Sequence, residues 1–492
     1  MPPRDDEIAR LAGIIRTQEI KIQALIQEVA YLRRIRYGVK SEAMNPEQRQ
    51  LFEDDILQDV AAIEAELKLP AMPSAPRARA GRQALPEHLE RVEVRHEPES
   101  CTCSACQANL VKIGEDVSEQ LDIEPARFFV IRHIRPQYAC RQCETVTAAP
   151  VAPAVIDGSL AAPGLLAWVA TGKYLDHLPL YRLEQIAARQ QVLLSRSTMS
   201  EWIGRIGFAL QPLADRLAEL LKQRQVLHAD ETPVKQLNPG AGKTKRAYLW
   251  CYRSNDLDSG PPMVVFDYQS SRSGQHARDF LHGWRGSLMV DDYGGYKKMF
   301  AADARFAVTE LGCWAHARRK FFDLQAGGTH PRAAEALRRI GLLYAVEEAA
   351  REMGAHARQL HRAQHSVPLL VEMYDWLTRL RITTADGCGL ARAIDYSLKR
   401  WPSLVRYAQT GDLPIDNNPV ENAIRPIALG KKNWLFAGSE RAGMRAAAIQ
   451  SLFATAKLNG IEPAAWLKDT LEKLPVWTMR RIDELLPIKP VA

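Results

Sequence analysis

The sequence predicts a multidomain α+β protein. Three observations carry that reading: a heptad repeat near the start, two Cys-x-x-Cys pairs around an alternating stretch, and short strand-like runs followed by a long helical block. A chain of 492 residues exceeds what one compact core accommodates, so three or more units are expected. A hydrophobic content of 46% with 25% charged residues is that of a globular protein. No run of about 18 or more apolar residues occurs, so no membrane-spanning helix is expected. The charged start MPPRDDEIAR lacks an apolar signal core, which argues against export and for a cytoplasmic protein. The formal net charge of +7 suits a nucleic-acid partner without singling one out.

Residues 1–45 are read as a coiled-coil dimerisation helix. Ile8, Ile15, Ile22 and Val29 occupy one seam position, and Leu11, Gln18, Leu25 and Leu32 the other. β-Branched residues at a with Leu at d favour a parallel two-stranded coil, and hence a homo-oligomer, with Gln18 fixing register. Residues 46–94 are a helix and a basic linker, because LPAMPSAPRARAGRQALP carries too little apolar surface to fold alone.

Residues 95–152 read as a zinc-ribbon-like domain. Cys103 and Cys106 form one knuckle, Cys140 and Cys143 the other, with Cys101 a spare thiol beside the first. Two knuckles at the ends of a strand pair gather four thiolates tetrahedrally, which suits structural Zn²⁺ and leaves no open position for water. Residues 160–215 are helical: LPLYRLEQIAAR, a short turn, then a helix that Ser195 caps. A helix-turn-helix would present Arg196, Ser197, Thr198 and Ser200 to DNA; an ordinary helical hairpin fits the pattern equally.

Strand signals follow in VLHAD (226–230), AYLWCYRS (247–254), PMVVFDYQ (262–269) and SLMVDD (287–292), with helical SGQHARDFLHGW before the last. They predict a mixed α/β sheet within 222–324, then a helical insertion over 325–410, a return to the same domain over 411–475, and a tail over 476–492. Asp230 is expected to end the first strand, stopped by Glu231-Thr232-Pro233, and Asp291 to follow the fourth. Asn418-Pro419 opens a helix with Glu421 in its first turn. Carboxylates at two strand ends and one helix start can converge on one edge of a sheet.

DETP, the segment Asp291-x-Tyr293-x-x-Tyr296, GCWAHARRKF and IDNNPVENAIRPIALGKKNWLFAGS together resemble the transposases of the insertion-sequence-66 family. The resemblance runs in order through the zipper, RYGVKSE, the cysteine knuckles and KYLDHLPLYRLEQI to this last, long motif. It implies a ribonuclease-H-like α/β catalytic domain whose triad falls on Asp230, Asp291 and Glu421. Those residues would hold Mg²⁺ (or Mn²⁺) and act on transposon ends and target DNA, in a bacterial, nucleoid-associated protein served by accessory proteins of the same element. Asn422 departs from the family, which commonly carries Arg after the Glu.

Asp292 is the alternative to Asp291, and the resemblance favours Asp291. Asp267 and Asp416 are expected to cap helices or pair with cations, and Glu231 to face away from Asp230. Cys313-x-x-His316 offers two metal donors with no second pair nearby; Cys313 is assigned to the core, and His316 to support of the site or DNA contact. Arg425, Lys431, Lys432 and Arg441, with Trp434 among them, suit a DNA backbone or an unstacked base. The function so implied is metal-dependent DNA cleavage and strand transfer. The competing expectations are an idle DNA-binding regulator and a nuclease of the same fold that cuts without joining.

Overall fold

The computed structural model describes residues 153–238, 243–300, 308–325 and 330–489, with short stretches at 128–131, 137–139 and 146–148. The heptad, the linker and the four knuckle cysteines lie outside the described residues. Described on either side of the second knuckle in sequence is an antiparallel pair, β1 (Gln137–Ala139) and β2 (Val146–Ala148), with Tyr138 opposite Thr147 in register.

The central sheet has five strands: β3 (Val226–Asn238), β4 (Lys243–Ser254), β5 (Val264–Gln269), β6 (Gly286–Val290) and β7 (Val308–Gly312). Their order is β5-β4-β3-β6-β7. The first three are antiparallel neighbours; β6 and β7 join parallel to β3. β7 is a strand that the sequence pattern did not give: VTELG is short and finds its partner only through the parallel pairing with β6.

β3 also corrects an expectation. The strand does not stop at Glu231-Thr232-Pro233 but runs on to Asn238, so Asp230 lies inside it and not at its end. Proline is tolerated because the backbone of odd-numbered residues here points away from β4. The Pro233 carbonyl accepts from Lys431, and Lys235 and Leu237 bond to Ala437 on that same side. β6 pairs with β3 only through His228, so the missing N–H of Pro233 falls on an edge that asks no donor of it.

Among the described residues three helices precede the sheet: α1 (Pro163–Tyr174), α2 (Leu180–Arg189) and α3 (Arg196–Leu221). Ser195 caps α3 by accepting from the Thr198 N–H at 3.1 Å. α3 continues past 215, burying Leu217 and Leu221. α4 (Gly274–Phe280) links β5 to β6. After the sheet come α5 (Trp314–Gln325), α6 (Pro331–Ala349), α7 (Ala355–Ile382), α8 (Gly389–Lys399) and the short α9 (Trp401–Leu404). The chain then returns through α10 (Asn418–Trp434), α11 (Glu440–Leu458) and α12 (Pro463–Lys473).

One face of the sheet is covered by α10 and α11: Val234, Leu249, Cys251, Val264 and Phe266 pack with Val420, Ile424, Ile427 and Ala447. The other face carries α4 and the 3₁₀ helix Gly294–Met299; Tyr252 stacks on Phe280 at 3.9 Å and Trp250 meets Tyr296 edge-on at 5.7 Å. Helices α6 to α9 build a second core of Ile340, Leu343, Met373, Leu377 and Ile394, but they share it with Trp314 and Phe321 of α5. The segment 476–489 is docked: Ile482, Leu485 and Leu486 are buried, and Asp483 takes a bidentate contact from Arg216 on α3. No helix among the described residues is long and apolar enough to cross a membrane.

β5 is an edge strand whose outer backbone groups are satisfied by side chains of α11. Thr455 Oγ1 accepts from the Val264 N–H and donates to its carbonyl, at 3.0 and 3.1 Å, and Ser451 Oγ accepts from the Phe266 N–H at 2.8 Å. Thr455→Val keeps the shape and leaves both groups of Val264 buried without a partner. It is expected to lower stability by about 1–3 kcal/mol, seen as a lower urea midpoint at unchanged slope.

Candidate active site

The parallel register decides which residues sit side by side. Val226, Leu227 and His228 pair with Ser287, Leu288 and Met289, so the same register carried two residues further sets Asp230 opposite Asp291. Both stand just beyond the point where β3 and β6 part. Asp291 is held by its own loop, accepting from the Tyr293 N–H at 2.8 Å.

Glu421 arrives from the far side of the helical segment, in the first turn of α10. What places that turn is Asn417. Its amide donates to the Ala229 carbonyl at 3.0 Å, its Oδ1 faces His228 Nδ1 at 3.0 Å, and its N–H donates to Cys313 Sγ at 3.2 Å. Burial keeps His228 neutral down to about pH 4, so its Nδ1 can serve as the donor. Asp416 caps α10, accepting from the Asn418 N–H at 3.0 Å, and its other oxygen takes the Tyr344 hydroxyl at 2.7 Å.

The electrostatics of Asp230 register the convergence. Burial, and then the charges of Glu231, Asp291 and Glu421, push its carboxyl up to about 8, against one opposing hydrogen bond from the Glu231 N–H at 2.8 Å. Such a site calls for a cation. The oxygens of Asp230, Asp291 and Glu421 are hard donors of the kind Mg²⁺ takes, and they do not all lie within 4.8 Å of one another.

Asp292 is differently employed. Burial raises its pKa, but Lys297 at 2.8 Å and Arg400 at 2.6 Å outweigh that and leave it below the usual carboxylate value. Glu231 is on the face opposite α10, its side chain buried among Trp250 and Tyr296, paired with Arg272 at 2.6 Å and accepting the Tyr296 hydroxyl at 3.0 Å. Arg272 also stacks 3.9 Å over the Tyr293 ring, and the Tyr293 hydroxyl donates to the Arg272 carbonyl. This network explains the two tyrosines of the motif: they tie the residue after Asp230 to the loop that carries Asp291. Gly274 is needed where α4 passes that loop, since a Cβ there would come within 2.0 Å of the Gly295 carbonyl oxygen. Arg272 was invisible to sequence reading, because only the fold brings it beside Glu231.

Asp267 does not pair with a cation as expected; it takes the Gln269 amide at 2.9–3.0 Å, since the residue two along the same strand face reaches it first. His316 Nδ1 lies 3.6 Å from Glu421 Oε1. Cys313 is fully buried, and burial pushes its thiol up to about 12.

Among the polymer-binding candidates, Lys431 donates to Thr232 Oγ1 and the Pro233 carbonyl, both at 3.2 Å, two and three residues past Asp230. Arg425 and Lys432 are exposed on α10, and Arg441 on the first turn of α11. Trp434 instead packs partly into the core beneath α10, and the exposed apolar side chains there are Leu435 and Phe436. Arg196 pairs with Glu184 at 3.1 Å, while Ser197 and Thr198 bond to the capping hydroxyl of Ser195. Ser200 is exposed on the following turn.

With its folded pKa raised to about 8 against 3.8 unfolded, Asp230 makes the metal-free native state bind the extra proton between those limits. Stability present below about pH 4 is therefore lost as pH rises towards about 8. In EDTA, Asp230→Asn is expected to stabilise the protein relative to the parent by over ~1 kcal/mol more at pH 8.5 than at pH 5, as read by urea unfolding.

The chain matches family models over most of its length. The family described as "Transposase IS66 family" matches residues 158–445, spanning Asp230, Asp291 and Glu421. A "zinc-finger binding domain of transposase IS66" matches 100–144, which contains all four knuckle cysteines, and an "IS66 C-terminal element" matches 451–488. "Transposase C of IS166 homeodomain" matches 24–94. Two uncharacterized proteins of Sinorhizobium fredii are similar throughout. The one named y4qI is 36% identical over 98% of this chain and 91% of its own length, and y4jD is 35% identical over 94% and 93%. The chain belongs to the IS66 family of transposases.

Proposed function

We propose that this protein is a DNA transposase of the DDE type that cleaves insertion-sequence ends and joins them to target DNA. The observation that carries this reading is the convergence on Asp230: its neighbour across the parallel register is Asp291, and the charges of both Asp291 and Glu421 reach it. The strand order supports a ribonuclease-H-like catalytic domain, with three antiparallel strands followed by two parallel ones and acidic residues on two adjacent strands and a later helix.

When bound, a pair of Mg²⁺ (or Mn²⁺) ions activates an attacking oxygen and stabilises the leaving one. Asp230, Asp291 and Glu421 would hold the metal. Asp292, neutralised by Lys297 and Arg400, stays out of the ligand set. Arg425, one turn beyond Glu421, and Lys431, against the strand of Asp230, set positive charge beside the carboxylates. With Lys432 and Arg441 they would bear on DNA phosphates. The four knuckle cysteines would hold structural Zn²⁺, and the N-terminal heptads would pair two copies.

Asp230→Asn is expected to cut strand joining by about a thousandfold or more while leaving binding of end-containing DNA within a few-fold. A strand-transfer assay with Mg²⁺ or EDTA measures the first and a gel shift the second. Joining retained by Asp230→Asn removes the assignment, whereas cleavage without joined products identifies a nuclease, and binding with neither a regulator. As isolated, the full chain is expected to carry about one Zn²⁺ per protomer, measured by elemental analysis and lost in Cys106→Ser.

A further inference from the structure

The pair Cys313-x-x-His316 is a motif that the proposed chemistry leaves unused, and in the fold it meets a third donor. Cys313 Sγ, a ring nitrogen of His316 and a carboxylate oxygen of Glu421 all lie within 4.8 Å of one another. Among the described residues this is the one such set of three. Cys313 immediately precedes α5 and His316 lies in its first turn, so a spacing of three puts both side chains on one helix face. Cys313 is buried while His316 and Glu421 are partly exposed, so the set is open on one side.

Two further features point to a ligand. The backbone N–H groups of His316 and Asn417 are both directed at Cys313 Sγ, where they oppose in part the burial that raises its thiol. His316 Nδ1 is buried without a hydrogen-bond partner, and its 3.6 Å from Glu421 is too long for a hydrogen bond but suits two atoms sharing a third.

We propose that Cys313, His316 and Glu421 form a site for a thiophilic divalent cation of the Zn²⁺ class, which draws Glu421 out of the hard-cation pocket and so inhibits the reaction. The inhibitory part rests on Glu421 being the third carboxylate of the active site; the binding part does not. One thiolate, one carboxylate and one neutral imidazole balance the charge of the ion, which lowers the cost of holding it in a partly buried place. The Cys313 proton leaves to solvent on binding. Three protein donors with one position left for water is an ordinary tetrahedral zinc arrangement, and sulfur and nitrogen donors discriminate against Mg²⁺.

The test uses the full-length protein with Zn²⁺ in its knuckles, titrated with Co²⁺, which does not displace Zn²⁺ from thiolates readily. A thiolate-to-cobalt charge-transfer band is expected in the wild type and not in Cys313→Ser. His316→Gln, at a partly exposed position that leaves the core intact, is expected to weaken Co²⁺ binding by about 100-fold. No band in the wild type, or the same band and affinity in both variants, overturns the site. In a Mg²⁺-driven joining reaction, added Zn²⁺ is expected to slow the wild type by about tenfold or more and His316→Gln by less than about twofold, each against its own zinc-free rate. Equal inhibition of the two overturns the regulatory role. A protein that binds Co²⁺ here but joins no DNA overturns the proposed function and keeps the site.

Discussion

Everything at the acidic edge of the sheet depends on one buried amide. Asn417 has no exposed surface, and its three bonds reach β3 at Ala229 and His228 and the head of α5 at Cys313. A side-chain amide is suited to this because it donates and accepts in one plane, so it can replace ladder partners that β3 loses where β6 departs. With Asn417 fixed, the helix it precedes has no freedom to choose its first turn, and Glu421 follows four residues later. An unsatisfied group in that place would cost about 1–3 kcal/mol per bond lost, comparable to a large part of a domain's net stability. The geometry of the acidic edge is thus underwritten by hydrogen bonds and not by the acids themselves, which repel.

That repulsion is a local frustration the fold sustains. Asp230 is held part-buried against like charges and its pKa rises to about 8, while Glu231 and Asp292, its neighbours in sequence and in space, are each matched to an arginine. The contrast separates structural from reactive carboxylates on physical grounds. Glu231 and Asp292 carry their own counter-charges, so they brace the middle of β3 and the loop after β6. Among the causes that set the state of Asp230 the charges are all like ones, which is the condition under which a bound cation gains most.

Much of this was legible because it is local. Ser195 as a cap, Asn418-Pro419 as a helix start and Glu421 in the first turn follow from the chemistry of a few adjacent residues. Asp291 after a strand was equally readable. The extent of β3 was not, since Pro233 reads as a stop until one knows that its nitrogen faces an edge with no strand to bond. β7 and the Arg272 network escaped for a related reason: their partners are remote in the chain, and neither VTELG nor an isolated arginine signals its partner. Cys313 was assigned to the core, and it is buried; the nearness of Glu421 to it, across more than a hundred residues, is a property of the fold alone. The heptads and the knuckles, the plainest patterns in the sequence, fall outside the described residues.

The helical segment between Asp291 and Glu421 earns its length through delivery. Arg362, fully buried and paired with Glu347, donates to the carbonyls of Tyr407, Thr410 and Leu413, and Arg358 to that of Gly411. Two arginines of α7 therefore grip the returning chain along its backbone, where sequence is least restrictive and shape most so. Arg400 then pins the other end to Asp292 and Glu310 beside the strand tips, and Trp314 donates through its indole to Leu404 and through its backbone to Ile415. Between these anchors the path from Leu413 to Asn417 has little slack. A short direct connection from the sheet would leave the acidic helix free to swing away from its like-charged neighbours, whereas the helical block converts that repulsion into a position. The third carboxylate is consequently set in place through the contacts of the whole block.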